Sequence, residues 1–215
     1  MAKRRGAYGG NGRLGPADWL GAARAILIGE GIERVKVERI AKRLGVTRGG
    51  FYWHFRNRKA LLDALLRDWE RSNTVAFIEA VTQAPGGIEA RILAIFTIWL
   101  EARRFDPRYD MAVRDWARVS AKVRRAVHRA DDRRIHFIRS LFEQEGYDPR
   151  EALVRARVLY YTQIGYYALE VHETVRARLA LADLYFEIFT GKQLTPEGLR
   201  SLQSRVLRGR NRTVR

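Results

Sequence analysis

No cysteine occurs in the 215 residues. That absence excludes disulfides, thiolate zinc sites and cysteine nucleophiles, and it fits a cytoplasmic protein. No apolar run is long enough to span a bilayer, so no membrane partner is expected. The opening MAKRRGAYGGNGR is basic but has no apolar segment, and is not read as a secretory signal. No stretch sustains the period-two alternation of a strand, and no fixed-period repeat occurs. No nucleophile elbow, phosphate loop or metal-ligand spacing is found, so an enzyme is not expected. Of the four histidines, His128, His136 and His172 lack i, i+4 partners of ligand type among themselves, so neither metal nor cofactor is expected.

Acidic residues are in short supply: 24 Asp and Glu face 41 Lys and Arg, for a net charge of +17. The excess is uneven. Residues 1–60 carry 14 basic and 4 acidic residues, residues 61–204 carry 22 and 20, and the tail 205–215 carries five arginines and no acid. A polyanion partner is implied, and its contact is expected within the first sixty residues. Hydrophobic residues make up 47% of the chain, enough for a substantial core.

Helical periodicity runs through nearly all of what remains. Residues 1–15 read as a flexible basic arm. Pro16 opens a helix on which Trp19, Ala22, Ala23, Ile26 and Leu27 form a stripe, ended by Gly29-Glu30-Gly31. A second helix is predicted at about 37–44, a third at 48–55 capped by Thr47, and a fourth at 58–82 capped by Asn57. After the break QAPGG (83–87), helices are predicted at about 88–104, 108–118, and from Ser120 to Glu145. Two more are predicted at 149–173 and 175–190, and a short last one from Pro196. The expected fold is all-α: a helix-turn-helix domain over 16–66, a larger helical domain over 67–204, and a basic tail over 205–215.

Residues 37–55, VERIAKRLGVTRGGFYWHF, carry the sharpest signal. A small residue, Ala41, lies where two steeply crossed helices would touch, and Gly45 suits a turn at positive φ. Ile40, Leu44, Val46, Phe51 and Phe55 are expected to close a small core, leaving Tyr52, Trp53 and His54 on other sides of their helix. Such a helix-turn-helix places its second helix in the DNA major groove.

The pattern from Trp19 through Leu62, with VTRGGFYWHF at its centre, closely resembles the DNA-binding domain of TetR-family transcriptional regulators. The resemblance is detailed over about 16–66 and architectural beyond residue 70. It implies that Thr47 caps the recognition helix and touches a phosphate, and that Arg48 and Gly49 face base edges. It also implies that Tyr52, Trp53 and His54 follow the phosphate backbone and that Arg58 meets a phosphate at the start of the next helix. Lys36 stands where a Thr often contacts phosphate, and Gly50 where a Ser, Thr or Ala is common.

In the larger domain, 149–173 is apolar almost all round from Val158 to Val171. With 175–190 it is expected to form a four-helix interface between two copies of the chain; a central buried helix is the other reading. Phe96, Trp99 and Trp116 are candidates to line a pocket for a small-molecule effector, although aromatics at this spacing also serve as core. Asp131 and Arg134 interrupt the line Val127, Ile138, Leu141, and either sit in water or line that pocket. The expected function is a ligand-responsive dimeric regulator, in the form of a repressor, on a roughly palindromic double-stranded DNA site. A non-switching architectural DNA-binding protein is the alternative.

Overall fold

In a computed structural model of the protein, which describes residues 14–101 and 104–211, every regular element is a helix or helical turn. The arm expected at 1–15 lies, up to Arg13, outside the described residues, as does the end of the tail, 212–215. Among the described residues, no helix is long and apolar enough to cross a membrane.

Local chemistry sets the first elements. Helix α1 (Pro16–Glu30) begins with Pro in its first turn, and the Gly15 N–H donates to the Asp18 carboxylate at 2.8 Å. It buries Trp19, Ala22, Ala23, Ile26 and Leu27, the stripe implied by their spacing. A 3-10 turn at Ile32–Arg34 leads into α2 (Val37–Leu44). Gly45 ends α2 at φ 71° and ψ 28°, a left-handed conformation that lets the Val46 N–H return to the Ala41 carbonyl at 3.0 Å. Residues 48–53 form a short 3-10 helix, not the α-helix predicted to residue 55, and Thr47 stands before it without a side-chain capping bond. Asn57 does cap α3 (Arg58–Glu70), accepting from the Ala60 N–H at 2.9 Å.

A single π turn, Arg71–Val75, carries α3 into α4 (Ala76–Thr82), so the helix predicted at 58–82 is one rod with a bulge. Helices α5 (Ile88–Glu101), α6 (Pro107–Val119) and α7 (Ala121–Gln144) follow, α6 capped by Asp106 and α7 by Ser120. Helix α8 (Pro149–Ala168) stops five residues before the predicted end. Glu170 takes the left-handed conformation (φ 50°), and the Val171 N–H closes back on the Tyr166 carbonyl at 3.1 Å. A glycine usually marks such a stop, and none is present here to announce it. The helix predicted at 175–190 is divided at Leu181 into α9 (Val175–Ala180) and α10 (Ala182–Thr190). The last helix, α11 (Pro196–Asn211), is not short. It buries Leu202 and Val206 against the larger core, so the tail boundary expected at 205 falls inside a packed helix.

Two hydrophobic cores result, and their boundary is not the one expected at residue 66. The first joins α1, α2, the 3-10 helix and α3 to Tyr109, Val113 and Trp116 of α6 and to Val123, Ala126, Val127 and Ala130 in the first half of α7. The second gathers α4, α5, the second half of α7, and α8 to α11. Helix α7 spans about 36 Å, long enough to enter both. Val46, expected in the small core, is exposed instead, because its backbone is committed to closing α2.

Asp106 ties the two regions together. Its carboxylate caps α6 by accepting from the Arg108 and Tyr109 N–H groups at 3.0 and 3.2 Å, and it pairs with Arg24 of α1 at 2.7 Å. Asn73, in the π turn, brackets the Asp106 backbone with two hydrogen bonds of 2.8 and 3.2 Å. Asp106→Ala is expected to lower stability by about 1–2 kcal/mol, chiefly through the lost cap, as measured by urea unfolding.

Candidate nucleic-acid interface and effector cavity

The 3-10 helix sorts the aromatic run by its three-residue period. Phe51 points inward, fully buried, edge-on to Trp19 with ring centroids 5.5 Å apart and stacked on Phe55 at 5.5 Å. Tyr52 and Trp53 take the other two sides and are 59% and 83% exposed. His54 falls in line with Phe51, is half-buried, and its Nε2 lies 2.9 Å from the Leu14 carbonyl, which it holds at the entrance to α1. An α-helical reading groups His54 with Tyr52 and Trp53; the tighter winding separates them.

The basic residues divide in a similar way. Arg48 is exposed and pairs loosely with Glu38 at 3.5 Å, which brings the start of the 3-10 helix beside the first turn of α2. Lys36, exposed, precedes that turn. Exposed pairs of this kind contribute little, so Arg48 is available to another partner. Arg58 is engaged: its Nε donates to the Val35 carbonyl at 2.6 Å and its Nη2 to the Ile32 carbonyl at 3.1 Å. It therefore clamps the turn between α1 and α2, and a phosphate would reach only its remaining N–H groups. A Cβ at Gly49 would meet only Thr47 Oγ1 at 3.7 Å, and one at Gly50 only Trp19 Cζ2 at 3.6 Å. The fold itself does not demand either glycine.

Arg134 neither sits in water nor lines a pocket, and Asp131, which borders a shallow cleft between α6 and α7, is tied to it by shared partners. Arg134 is 1% exposed and lies between Trp69 and Phe105, its guanidinium carbon 5.4 and 5.2 Å from their ring centroids. It donates to Thr74 Oγ1 at 3.0 Å, to the Tyr160 hydroxyl at 2.9 Å and to Asp110 Oδ1 at 3.2 Å. Asp110 is fully buried and also accepts from the Trp69 indole N–H at 3.0 Å and from Arg114 Nε at 2.8 Å. Arg114 grips Asp131 with two N–H groups at 2.9 and 2.6 Å, and Tyr160 donates to Asp131 at 2.6 Å. Two arginines and two aspartates balance in charge, and they connect α3, the π turn, α6, α7 and α8 where the two cores meet.

Burial opposes charge on Arg134, but Asp110 and the Tyr160 hydroxyl outweigh it, and its pKa is raised. Burial raises the Tyr160 pKa as well, so its hydroxyl remains a donor at any physiological pH. Trp116, another effector candidate, belongs to the first core and faces an open cleft between α1 and α6.

Phe96 and Trp99, by contrast, line a cavity between α5, α8, α9 and α10. Leu159 and Phe189 complete its apolar wall. Gln163, Tyr166, Arg178 and Tyr185 form a polar end, where Arg178 Nη2 donates to Gln163 Oε1 at 2.8 Å and the two tyrosine hydroxyls meet at 2.8 Å. That hydroxyl contact, with some burial, pushes the Tyr166 pKa up to about 12. The cavity holds about 50 Å³, room for a few waters. Sequence reasoning placed the helices that carry these residues in a subunit interface, with a central buried helix as the other reading. Their membership of a cavity depends on the break at Leu181, which turns α9 over the end of α8.

An all-α chain with a basic helix-turn-helix on one core and a second helical core behind it defines a class of DNA-binding domain coupled to a separate helical body. Comparison with known proteins narrows the class. Residues 20–65 match the model of the bacterial regulatory proteins, tetR family. The tetracycline repressor protein class A from transposon 1721 of Escherichia coli is 43% identical over 53 residues, which are 25% of this chain and 24% of that protein. The likeness thus spans about a quarter of that relative's length.

Whole-chain similarity is to folds. The ketosteroid transcriptional regulator KstR2 of Mycobacterium tuberculosis superposes with a TM-score of 0.58 at 18% identity, covering 89% of this chain and 100% of that one. The MbdR regulator from Azoarcus sp. CIB does so at 0.62 and 14%, covering 83% and 98%. Residues 20–65 thus form a domain matched by the tetR family model, and the chain as a whole shares the fold of these two regulators.

Replacing Arg134 by Met strands Asp110 with one cation fewer in a buried site. A loss of about 3 kcal/mol is expected, whereas Arg48→Ala, at an exposed site, stays within about 0.5 kcal/mol; equilibrium unfolding of both variants tests the contrast.

Proposed function

We propose that the protein is a dimeric transcriptional regulator that binds a roughly palindromic operator and is released by a small-molecule effector, so that it acts as a repressor. The observation that carries the DNA-binding part is the exposed, basic and aromatic edge from Lys36 through Trp53. A large ring such as Trp53 left in water marks a contact surface, and the neighbouring charge selects an anionic partner. Arg48 suits the two acceptors of a guanine edge. Thr47, Tyr52 and Lys36 suit phosphates, and the spare backbone room at Gly49 and Gly50 lets the groove approach.

Dimerisation is supported by a second surface. Val154, Val158 and Tyr161 of α8 and Leu184 and Ile188 of α10 are exposed apolar residues at helical spacing. Ile188 alone is 67% exposed. Two copies joined through these helices would bury both stripes and present two recognition helices to successive major grooves.

Release requires an effector that binds better to the form unable to contact DNA. The charge-balanced network around Arg134 supplies a stiff connection between the cavity side and the DNA side. Tyr160 joins it from α8, and Trp69 joins it from the helix that follows the recognition element. An architectural DNA-binding protein without a switch would show similar affinity for all sequences and no ligand-dependent release.

Arg48→Ala is expected to cost about 1–3 kcal/mol on the operator and to relax preference at one base position. Genomic fragment selection followed by footprinting measures it; an equal loss on all sequences would reassign Arg48 to phosphate. Ile188→Arg is expected to convert the dimer to monomer in sedimentation velocity and to abolish protection of the full palindrome. A dimer unaffected by this change would place the interface elsewhere.

A further inference from the structure

The polar end of the cavity has donors and a positive charge, and no carboxylate lines it. Gln163 is 4% exposed, and its amide has only one consistent orientation. Arginine has no acceptor, so the atom facing Arg178 must be the carbonyl oxygen, and Nε2 must turn the other way. There its neighbour is the buried Tyr167 hydroxyl, and neither atom makes a hydrogen bond of good geometry. Buried polar atoms without partners are rare in folded proteins, and when they line a cavity they point to a missing one.

Arg178 adds charge. Among the described residues its side-chain hydrogen bond is to neutral Gln163, and its guanidinium rests on the Tyr166 ring, 4.9 Å from the centroid. Opposite stand Phe96, Trp99 and Phe189, which offer rings and no polar atom except the Trp99 indole N–H.

We propose that this cavity binds the carboxylate of a small aryl or unsaturated acid, the carboxylate on Arg178 and Gln163 Nε2 and the hydrocarbon body against Phe96, Trp99 and Phe189. The proposal rests on the effector reading above and names the ligand class for it. A single half-buried guanidinium facing an aromatic wall suits a monoanion, and a carboxylate fits both remaining donors. Tyr185 bounds the depth of the site through its contact with Tyr166.

The ligand does not fit without movement, since the cavity holds about 50 Å³. The wall able to yield is α9, six residues between the turn at Glu170 and the break at Leu181. Arg178 sits on it. Entry of an acid would draw Arg178 from Gln163 Oε1 to the carboxylate and displace α9 from α8, and Tyr160 and Gln163 share α8 with the junction network. In this way a binding event would reach Asp131 and Arg134.

The test uses full-length dimer with 3-phenylpropionate and trans-cinnamate, each against its primary amide. Isothermal titration reports affinity, and the fluorescence of Trp99, isolated by comparison with Trp99→Phe, reports occupancy of the cavity. The acids are expected to bind about tenfold or more tightly than the amides, and Arg178→Gln is expected to bring the two close to equality. Gln163→Glu gives a second check: its carboxylate pairs with Arg178, and acid binding is lost while the amides still bind.

Equal affinity of acid and amide for the unaltered protein, an acid preference that survives Arg178→Gln, or no binding of either acid at millimolar concentration would each overturn the proposal. Operator release is measured separately. Acid binding with operator retained upholds the ligand class and removes the effector reading. Release by neutral or cationic compounds, with no acid binding, does the reverse.

Discussion

Asp110 has no access to water, and the helical segments around it are arranged so that its carboxylate oxygens are satisfied. Its two oxygens accept from the Trp69 indole, the Arg134 guanidinium and Arg114. Each of those partners comes from a different element. An unpaired charge at this depth would be prohibitively costly, so the helices that carry its partners are held in one relation. Asp131 and Tyr160 then complete the bonds that the two arginines leave over. The site is where the first core ends and the second begins, which makes it the structural joint between the region that carries the helix-turn-helix and the region that carries the cavity.

The two candidate sites share a physical character despite different partners. At the surface, the fold keeps Phe51 and Phe55 for itself and leaves Tyr52, Trp53, Arg48 and Lys36 exposed, Arg48 with only a loose pairing to Glu38. In the cavity, it keeps Leu159 for packing and leaves Gln163 Nε2 and the Arg178 charge incompletely answered. In both places the unsatisfied group has a definite chemical complement, an anion. Other residues of the same types, such as His54, Arg58 and Arg134, make hydrogen bonds inside the fold to carbonyls, hydroxyls or a carboxylate.

Much of the fold was legible because local rules were sufficient. The stripe of α1, the left-handed turn at Gly45, the Asn57 and Ser120 caps and the stop at Gly191 each depend on one or two neighbouring residues. The misread ends had no local mark. Glu170 closes α8 in a conformation usually given to glycine, and Leu181 interrupts a run whose apolar spacing continues across it. Helix α11 carries arginines enough to look like a solvated tail, although Leu202 and Val206 anchor it to the core.

The amino-acid sequence by itself determined that the chain is all-helical, that its positive charge is concentrated at its start, and that residues 37–55 form a helix-turn-helix, because periodicity, charge and turn chemistry are properties of adjacent residues. Only the tertiary structure decided which polar side chains are free. Whether Arg134 meets water or Asp110, whether Arg58 faces outward or the Val35 carbonyl, and whether Gln163 lies at an interface or a cavity all turn on partners between 15 and 60 residues away. Contacts at that range are set by how helices pack, and a pattern of spacing along one helix contains no information about what the neighbouring helix presents to it.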